Sequence, residues 1–413
     1  MFNLLKSYYL RDRLTQKIIF FLLIITILYF LFPKIIYSYF IFPIAKNNQI
    51  YLFGDWSVLI SAINCKIDYN IFVNNPCDVI GRKHVYGSIL LFIPYFEKYS
   101  KFYFLYFPII VNFIFIFVVI SHFTLKSLKE YILVLFFIFN PATILLMERL
   151  NFDIFIFLLT IILCYYRKNL LNLFIILFLS LSKFYPLSLF PLFFINDKNI
   201  LKNLIYASIF LILLFFFLYL DKENLEEILN NVQQFSARYY WSFNFFALSK
   251  IPILLTFFSK TSLIVLSLLF SLIFFFIGFF IYKNVLVKKE ITLNNANSYN
   301  KTLFLISSGI LVSNYFIFNN WIYREVFLFG VIPFLLELSA KEKFFNNIIN
   351  LIILRFAYFS ISSYFSIFKQ NDFLLIFHQI LDIFLISFFL GIIFHYYCSL
   401  MLSFVNLKKY KNF

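Results

Sequence analysis

The chain has 413 residues, of which 63% are hydrophobic and 24% aromatic, with a mean hydropathy of +0.89 and a formal net charge of +16. A soluble core of this length cannot hide so much apolar surface, so lipid must be part of the solvent. The charge does not point to nucleic acid, because Lys and Arg are scattered as single residues and pairs between apolar blocks rather than gathered into a basic domain.

A helical crossing of the hydrocarbon layer takes about 20 residues. In chain order the apolar blocks are 18–32, 102–119, 131–146, 152–166, 204–220, 262–282, 302–318, 326–338, 347–368 and 373–402. Flanking Tyr, Trp and Lys extend the shorter ones into the interface. The fold class expected is all-α: a polytopic transmembrane helical bundle with about ten full crossings. Lys6, Arg11, Arg13 and Lys17 precede the first block, and no small-residue cleavage site follows it, so the block reads as a retained helix.

Short basic connections favour the cytoplasmic side. Lys126 with Lys129, Arg167 with Lys168, Lys198 with Lys202, Lys283 with Lys288 and Lys289, Lys341 with Lys343 and the tail Lys408, Lys409 and Lys411 join the N-terminal arm there on one condition. Segment 170–195 must enter and leave on the same face, as a broken hairpin. Lys183, Tyr185 and Pro186 lie at its middle, where Pro interrupts a helix and Lys is costly in lipid. Non-helical backbone at that depth needs cover from protein or water, which implies a water-filled cavity. Both termini are then cytoplasmic. Stretches 33–101, 221–260 and 319–325 face outward with the short turn 148–153. The organisation expected is an N-terminal membrane module 1–287 that includes the first external loop 33–101, a cytoplasmic linker 288–301 rich in Asn and Ser, and C-terminal transmembrane helices 302–413.

The first external stretch carries three of the seven glycines, Gly54, Gly81 and Gly87, and reads as an ordered loop. Cys65 and Cys77 share it on the side where disulfides persist, so they can bridge; the other reading makes Cys77 a nucleophile, for which spacing offers no paired His. Asp55 follows the first helix beside Gly54 and Trp56. A carboxylate at the edge of a low-dielectric cavity suits a general base, and the same residue also suits the N-cap of a helix starting at Trp56. Glu148, Arg149, Asn151 and Asp153 put charges of both signs into one short turn. Arg238, Trp241 and Asn244 form a further polar group, as do Asn320, Trp321, Tyr323, Arg324 and Glu325. Arg and Lys beside aromatic rings can hold a lipid phosphate and its sugar, or can simply anchor helices at the interface. The four histidines have no ligand spacing and no Asp-x-Asp pair is present, so neither a metal nor a cofactor is expected. Asp382 is accounted for by His378 one turn away.

The run MERLNFDIFIFLLTIILCYYRKNLLNLFIILFLSLSKFYPLSLFPLFF resembles the Glu-Arg-Gly-Asn-x-Asp to Lys-x-x-Pro stretch of membrane glycosyltransferases of the C class (GT-C), with Leu150 at the family's glycine. It is most similar to glycosyltransferase family 87, which uses polyprenyl-phosphate-mannose. The resemblance extends over roughly the first 250 residues, with a weaker echo at NNWIYREVFLFGVIP, and it matches Asp55 to the class's catalytic carboxylate. It implies a GT-C-like fold and an inverting transfer of a hexose, mannose by this likeness, from a polyprenyl-phosphate donor to a lipid or glycan acceptor. Asp55 would be the catalytic base, with Arg149, Asp153, Lys183, Tyr185, Arg238, Asn244 and Arg324 around the donor phosphate. The partners are the donor, the acceptor and membrane lipids, with no nucleic acid. The location implied is the bacterial inner membrane, with the active site facing the periplasm. The alternatives are a lipid-linked glycan polymerase or ligase, and a transporter or flippase of lipid-linked sugars.

Overall fold

Backbone in lipid must satisfy its own N–H and C=O groups, and helices do this within a single segment. The computed structural model describes residues 2–31, 53–69, 74–79, 81–166, 169–195, 200–231, 242–288, 298–317, 320–364 and 372–410, and these are almost entirely helical. They comprise α1 (Phe2–Leu31), α2 (Gly54–Tyr69), α3 (Phe107–Ser121), α4 (Leu128–Ile138), α5 (Pro141–Arg149), α6 (Asp153–Tyr166), α7 (Asn169–Ser182), α8 (Leu192–Ile195), α9 (Ile200–Leu220) and α10 (Lys222–Asn231). There follow α11 (Pro252–Phe257), α12 (Lys260–Lys288), α13 (Ser298–Ile317), α14 (Leu328–Ser339), α15 (Lys343–Tyr364) and α16 (Asp372–Tyr410). The two-residue strands β1 (Ser242–Phe243) and β2 (Asn320–Trp321) form one antiparallel ribbon.

Four of the described helices are long and apolar enough to cross a bilayer by themselves: Phe102–Ser121, Leu201–Leu220, Lys260–Asn284 and Asp372–Ser399. A fifth results if α4 and α5, bent by 49°, count as one broken span. This corrects the expectation of ten crossings. Apolar composition continues through positions where local chemistry ends a helix. The Asn140 side chain accepts the Ala142 N–H at 2.8 Å and Pro141 follows, which starts α5 afresh within one apolar block. The block 152–166 gives a helix of 14 residues, α6, and 326–338 gives one of 12, α14, both shorter than a full span.

The polar connections collect at two ends of the bundle. At one end the Phe53 N–H donates to the Glu148 carbonyl at 2.7 Å, the Ser88 hydroxyl donates to Asp221, β1 pairs with β2, and the Phe245 N–H donates to Tyr315 O at 2.9 Å. These contacts join the stretches expected to share one face. At the other end Lys17 Nζ donates to Ser121 O at 3.0 Å, His122 meets the Tyr299 hydroxyl at 2.5 Å, and Lys129 reaches Asn346. The segment between α7 and α9 turns back on itself: Asn169 at the start of α7 donates to Asn203 in the first turn of α9 at 3.4 Å. Its apex is the non-α-helical link at Lys183 and Phe184, followed by a 3-10 turn over Tyr185–Leu189. Of the expected linker 288–301, residues 289–297 lie outside the described residues, whereas Lys288 belongs to α12 and residues 298–301 to α13.

Helices α12 and α16 pack against each other along their length. Glycine permits this closeness, since a Cβ on Gly278 would lie 2.3 Å from Phe388 O and one on Gly391 would lie 2.1 Å from Phe275 O. In lipid such packing, not water exclusion, holds helices together. Gly391→Ala is therefore expected to cost about 1–3 kcal/mol, read as a lower unfolding midpoint of the protein purified in detergent. Gly309→Ala is the control, because the nearest atom to its Cβ is 3.6 Å away.

Candidate functional site

The site is built where helices stop. Helix α5 ends in a Schellman turn, with the Asn151 N–H donating to Leu146 O at 3.1 Å and Leu150 in the left-handed region at φ 40° and ψ 57°. Glycine takes that conformation without cost, so Leu150 departs from the resembled motif in side chain while keeping the backbone turn a glycine would make. Its side chain is fully buried, and packing holds the strained residue in place. The Asn151 Oδ1 then accepts the Asp153 N–H at 3.1 Å and opens α6.

Helix α2 is fixed from the opposite side. Arg82 holds Asp78 through Nε at 3.0 Å and Nη2 at 2.7 Å, and reaches Gly54 O at 2.9 Å and the Ser57 hydroxyl at 3.2 Å. Trp56 donates to Tyr103 O at 2.8 Å and stacks on Phe107 at 5.0 Å. A disulfide joins Cys65 to Cys77 with a Cα–Cα separation of 5.6 Å, which ties the end of α2 to the following loop. Asp55 in the first turn is thus rigidly placed. Its carboxylate accepts from Arg149 Nη1 at 3.2 Å and Asn151 Nδ2 at 2.5 Å rather than from the backbone of its own helix. The capping role that sequence position allowed is not the one it takes.

A second carboxylate lies beyond Asn151. Asp153, fully buried, accepts from Lys183 Nζ at 2.5 Å, the Tyr185 hydroxyl at 2.6 Å and Arg324 Nε at 3.4 Å. Lys183 also donates to Asn151 Oδ1 at 2.9 Å, so the Asn151 amide bridges the two acidic groups. The Arg324 guanidinium carbon lies 4.7 Å from the Tyr185 ring centre, and its Nη1 donates to Asn314 Oδ1 at 3.0 Å. Three cations therefore contact these two carboxylates. Asp153 is sealed, whereas the side chains of Asp55 and Arg149 keep 16% and 22% of their exposure. Asp55 is the carboxylate a ligand can reach.

Of the residues singled out from sequence, Asp55, Arg149, Asp153, Lys183, Tyr185 and Arg324 are brought into one connected network, although 269 positions separate the first from the last. Asn244 is fully buried next to β1, and its carbonyl accepts the Ala247 N–H at 3.1 Å, which serves the turn there. Arg238 and Trp241 lie outside the described residues.

Sequence reasoning passed over Arg355. This fully buried residue of α15 holds the Glu325 carboxylate with both terminal nitrogens, and its Nε donates to Asp382 at 2.5 Å. His378 Nδ1 stands 3.5 Å from Asp382, so the arginine, and not the histidine, makes the shorter contact that accounts for this intramembrane acid. Glu325, His378 and Asp382 put ligand-type atoms within 4.8 Å of one another, a convergence that spacing along the chain does not reveal, and the Arg355 guanidinium bonds both acids. Glu325 is the neighbour of Arg324, so one 3-10 turn, Ile322–Phe327, presents adjacent side chains to the two networks. Tyr86 was also missed; its hydroxyl lies 3.5 Å from Asn151 Nδ2.

These features define a helical, membrane-type protein with a rigid, part-open cluster of two acids and three bases at one end. Comparison with protein-family models, with curated proteins and with solved structures gives no match.

Proposed function

We propose that this chain is an integral membrane glycosyltransferase of GT-C type, moving a hexose from a polyprenyl-phosphate donor to a lipid or glycan acceptor at the outer face of the membrane. The observation that carries the reading is the pairing of a reachable carboxylate, Asp55, with Arg149, one asparagine away from Lys183 and Arg324. Inverting transfer needs a base for the acceptor hydroxyl and positive charge for the departing phosphate, and here both are held without freedom to drift. Asp55 takes the hydroxyl proton as the acceptor oxygen attacks the anomeric carbon. The bond from that carbon to the phosphate oxygen breaks, its electron pair leaves with the polyprenyl phosphate, and the cations hold the charge. Mannose as the sugar, an outward-facing site and cytoplasmic termini belong to the same proposal.

A transporter of lipid-linked sugars is the second reading, favoured by the buried Glu325, Arg355 and Asp382, since transporters place charges deep within the bundle. Membranes containing the protein, incubated with radiolabelled polyprenyl-phosphate mannose, separate the two. The enzyme releases polyprenyl phosphate and passes label to a new lipid or glycan. A transporter moves intact donor across sealed vesicles and leaves the sugar on its phosphate.

A further inference from the structure

Tyr86 enters the cluster from the first polar loop and stands over the bridge between its two halves. Besides the Asn151 contact, its ring centre lies 5.2 Å from Lys183 Nζ, 5.9 Å from the His84 ring and 6.4 Å from the Phe152 ring, and the residue remains partly exposed. The loop around it is tightly pinned. Gly87 donates its N–H to Ser182 O at 3.0 Å, and a Cβ there would lie 1.6 Å from Leu181 O, so backbone meets backbone directly at the hairpin apex. The Arg82 clamp on the first turn of α2 and the Cys65–Cys77 disulfide hold the same loop from its other side. Three separate restraints thus fix one aromatic ring beside Lys183 and one amide away from Asp55.

Resting on the glycosyltransferase reading above, we propose that Tyr86 is the stacking face for the donor's pyranose ring. The anomeric carbon must lie between the phosphate held by the cations and the acceptor hydroxyl held by Asp55; Asn151, which links Asp55 to Lys183, is itself buried, so the sugar lies over it on the part-exposed side that Tyr86 borders. A pyranose presents a face of C–H bonds of weakly positive character, and the negative face of an aromatic ring complements it. The ring also excludes water from the reacting carbon, where hydrolysis would compete with transfer. Tyr86 acts in this account on the sugar and not on the phosphate, which gives it a distinct signature.

The test is equilibrium binding of two probes, polyprenyl-phosphate mannose and bare polyprenyl phosphate, to the full-length protein purified in detergent. Tyr86→Leu is expected to weaken the sugar-bearing lipid about tenfold and leave the bare lipid within about twofold, while Tyr86→Phe keeps most of the affinity. Tyr86→Trp, which retains an aromatic face, is expected to keep the preference for the sugar-bearing lipid, and covers the case in which Tyr86→Leu fails to fold. Equal losses for both probes, no loss for either, or a Tyr86→Trp protein without the preference overturns the assignment. A wild-type protein that binds neither probe overturns the glycosyltransferase reading itself, and the role of Tyr86 with it.

Discussion

Asp55→Asn is expected to lower sugar transfer by about 10²–10⁴-fold, the range a positioned general base contributes, while the protein still inserts and purifies as the wild type does. Asparagine retains one oxygen, enough for the contact with Arg149 or with Asn151 but not both, since these donors reach different carboxylate oxygens; the backbone bond from the Phe53 N–H to Glu148 O still holds α2 on α5. Asparagine cannot accept the acceptor's proton. A fall in kcat with donor KM little changed separates loss of the base from loss of binding. Asp153→Asn provides the contrast. Asp153 is sealed and shared by Lys183, Tyr185 and Arg324, so its replacement loosens the cations and raises the donor KM. Transfer by Asp55→Asn at the wild-type rate would remove Asp55 from the mechanism.

The second large effect belongs to Arg355. Arg355→Leu leaves Glu325 and Asp382 buried at 2% exposure without their shared cation, and removing one partner of a buried ion pair costs about 3–5 kcal/mol. The yield of folded protein and its unfolding midpoint should both drop sharply. Replacing all three together, as Glu325→Leu, Arg355→Met and Asp382→Leu, is expected to restore much of that stability, since apolar residues of similar volume pack without a desolvation penalty. Activity should not return with it. The 3-10 turn Ile322–Phe327 would lose the anchor beside Arg324, and the donor KM is expected to stay raised. A triple variant that is both stable and fully active would show that the network has no part in placing Arg324.

Much of the site was legible because chemistry in this chain sits where apolar patterning is interrupted. Arg149, Asp153, Lys183 and Tyr185 occupy short polar breaks between long apolar runs, and each break is the end of a helix in the folded protein. The hairpin of 170–195 followed from the same logic, because a lysine and a proline in mid-block are intelligible only at a turn. The count of crossings was less legible. Hydropathy is blind to the cap at Asn140 and to the left-handed turn at Leu150, so blocks that read as spans are shorter helices joined at sharp bends. Arg355 was hidden for a different reason. It is a lone cation in an apolar stretch, and its partners Glu325 and Asp382 lie 30 and 27 residues away, a pairing set by how α15 and α16 meet the Ile322–Phe327 turn. Tyr86 is one of 29 tyrosines, and nothing in its neighbours but Gly87 marks it.

The cluster must open to the outer face of the membrane for the account to hold, and cysteine labelling measures this directly. Cys164 and Cys398 are the free thiols, and Cys65 and Cys77 are disulfide-bonded, so a Cys164→Ala, Cys398→Ala background is silent to maleimide. Tyr86→Cys and Arg149→Cys in that background should both react with a membrane-impermeant maleimide added outside intact cells, and added polyprenyl-phosphate mannose should slow both reactions. Labelling of either position only after the cytoplasmic face is exposed, or at rates the lipid does not alter, would contradict the account.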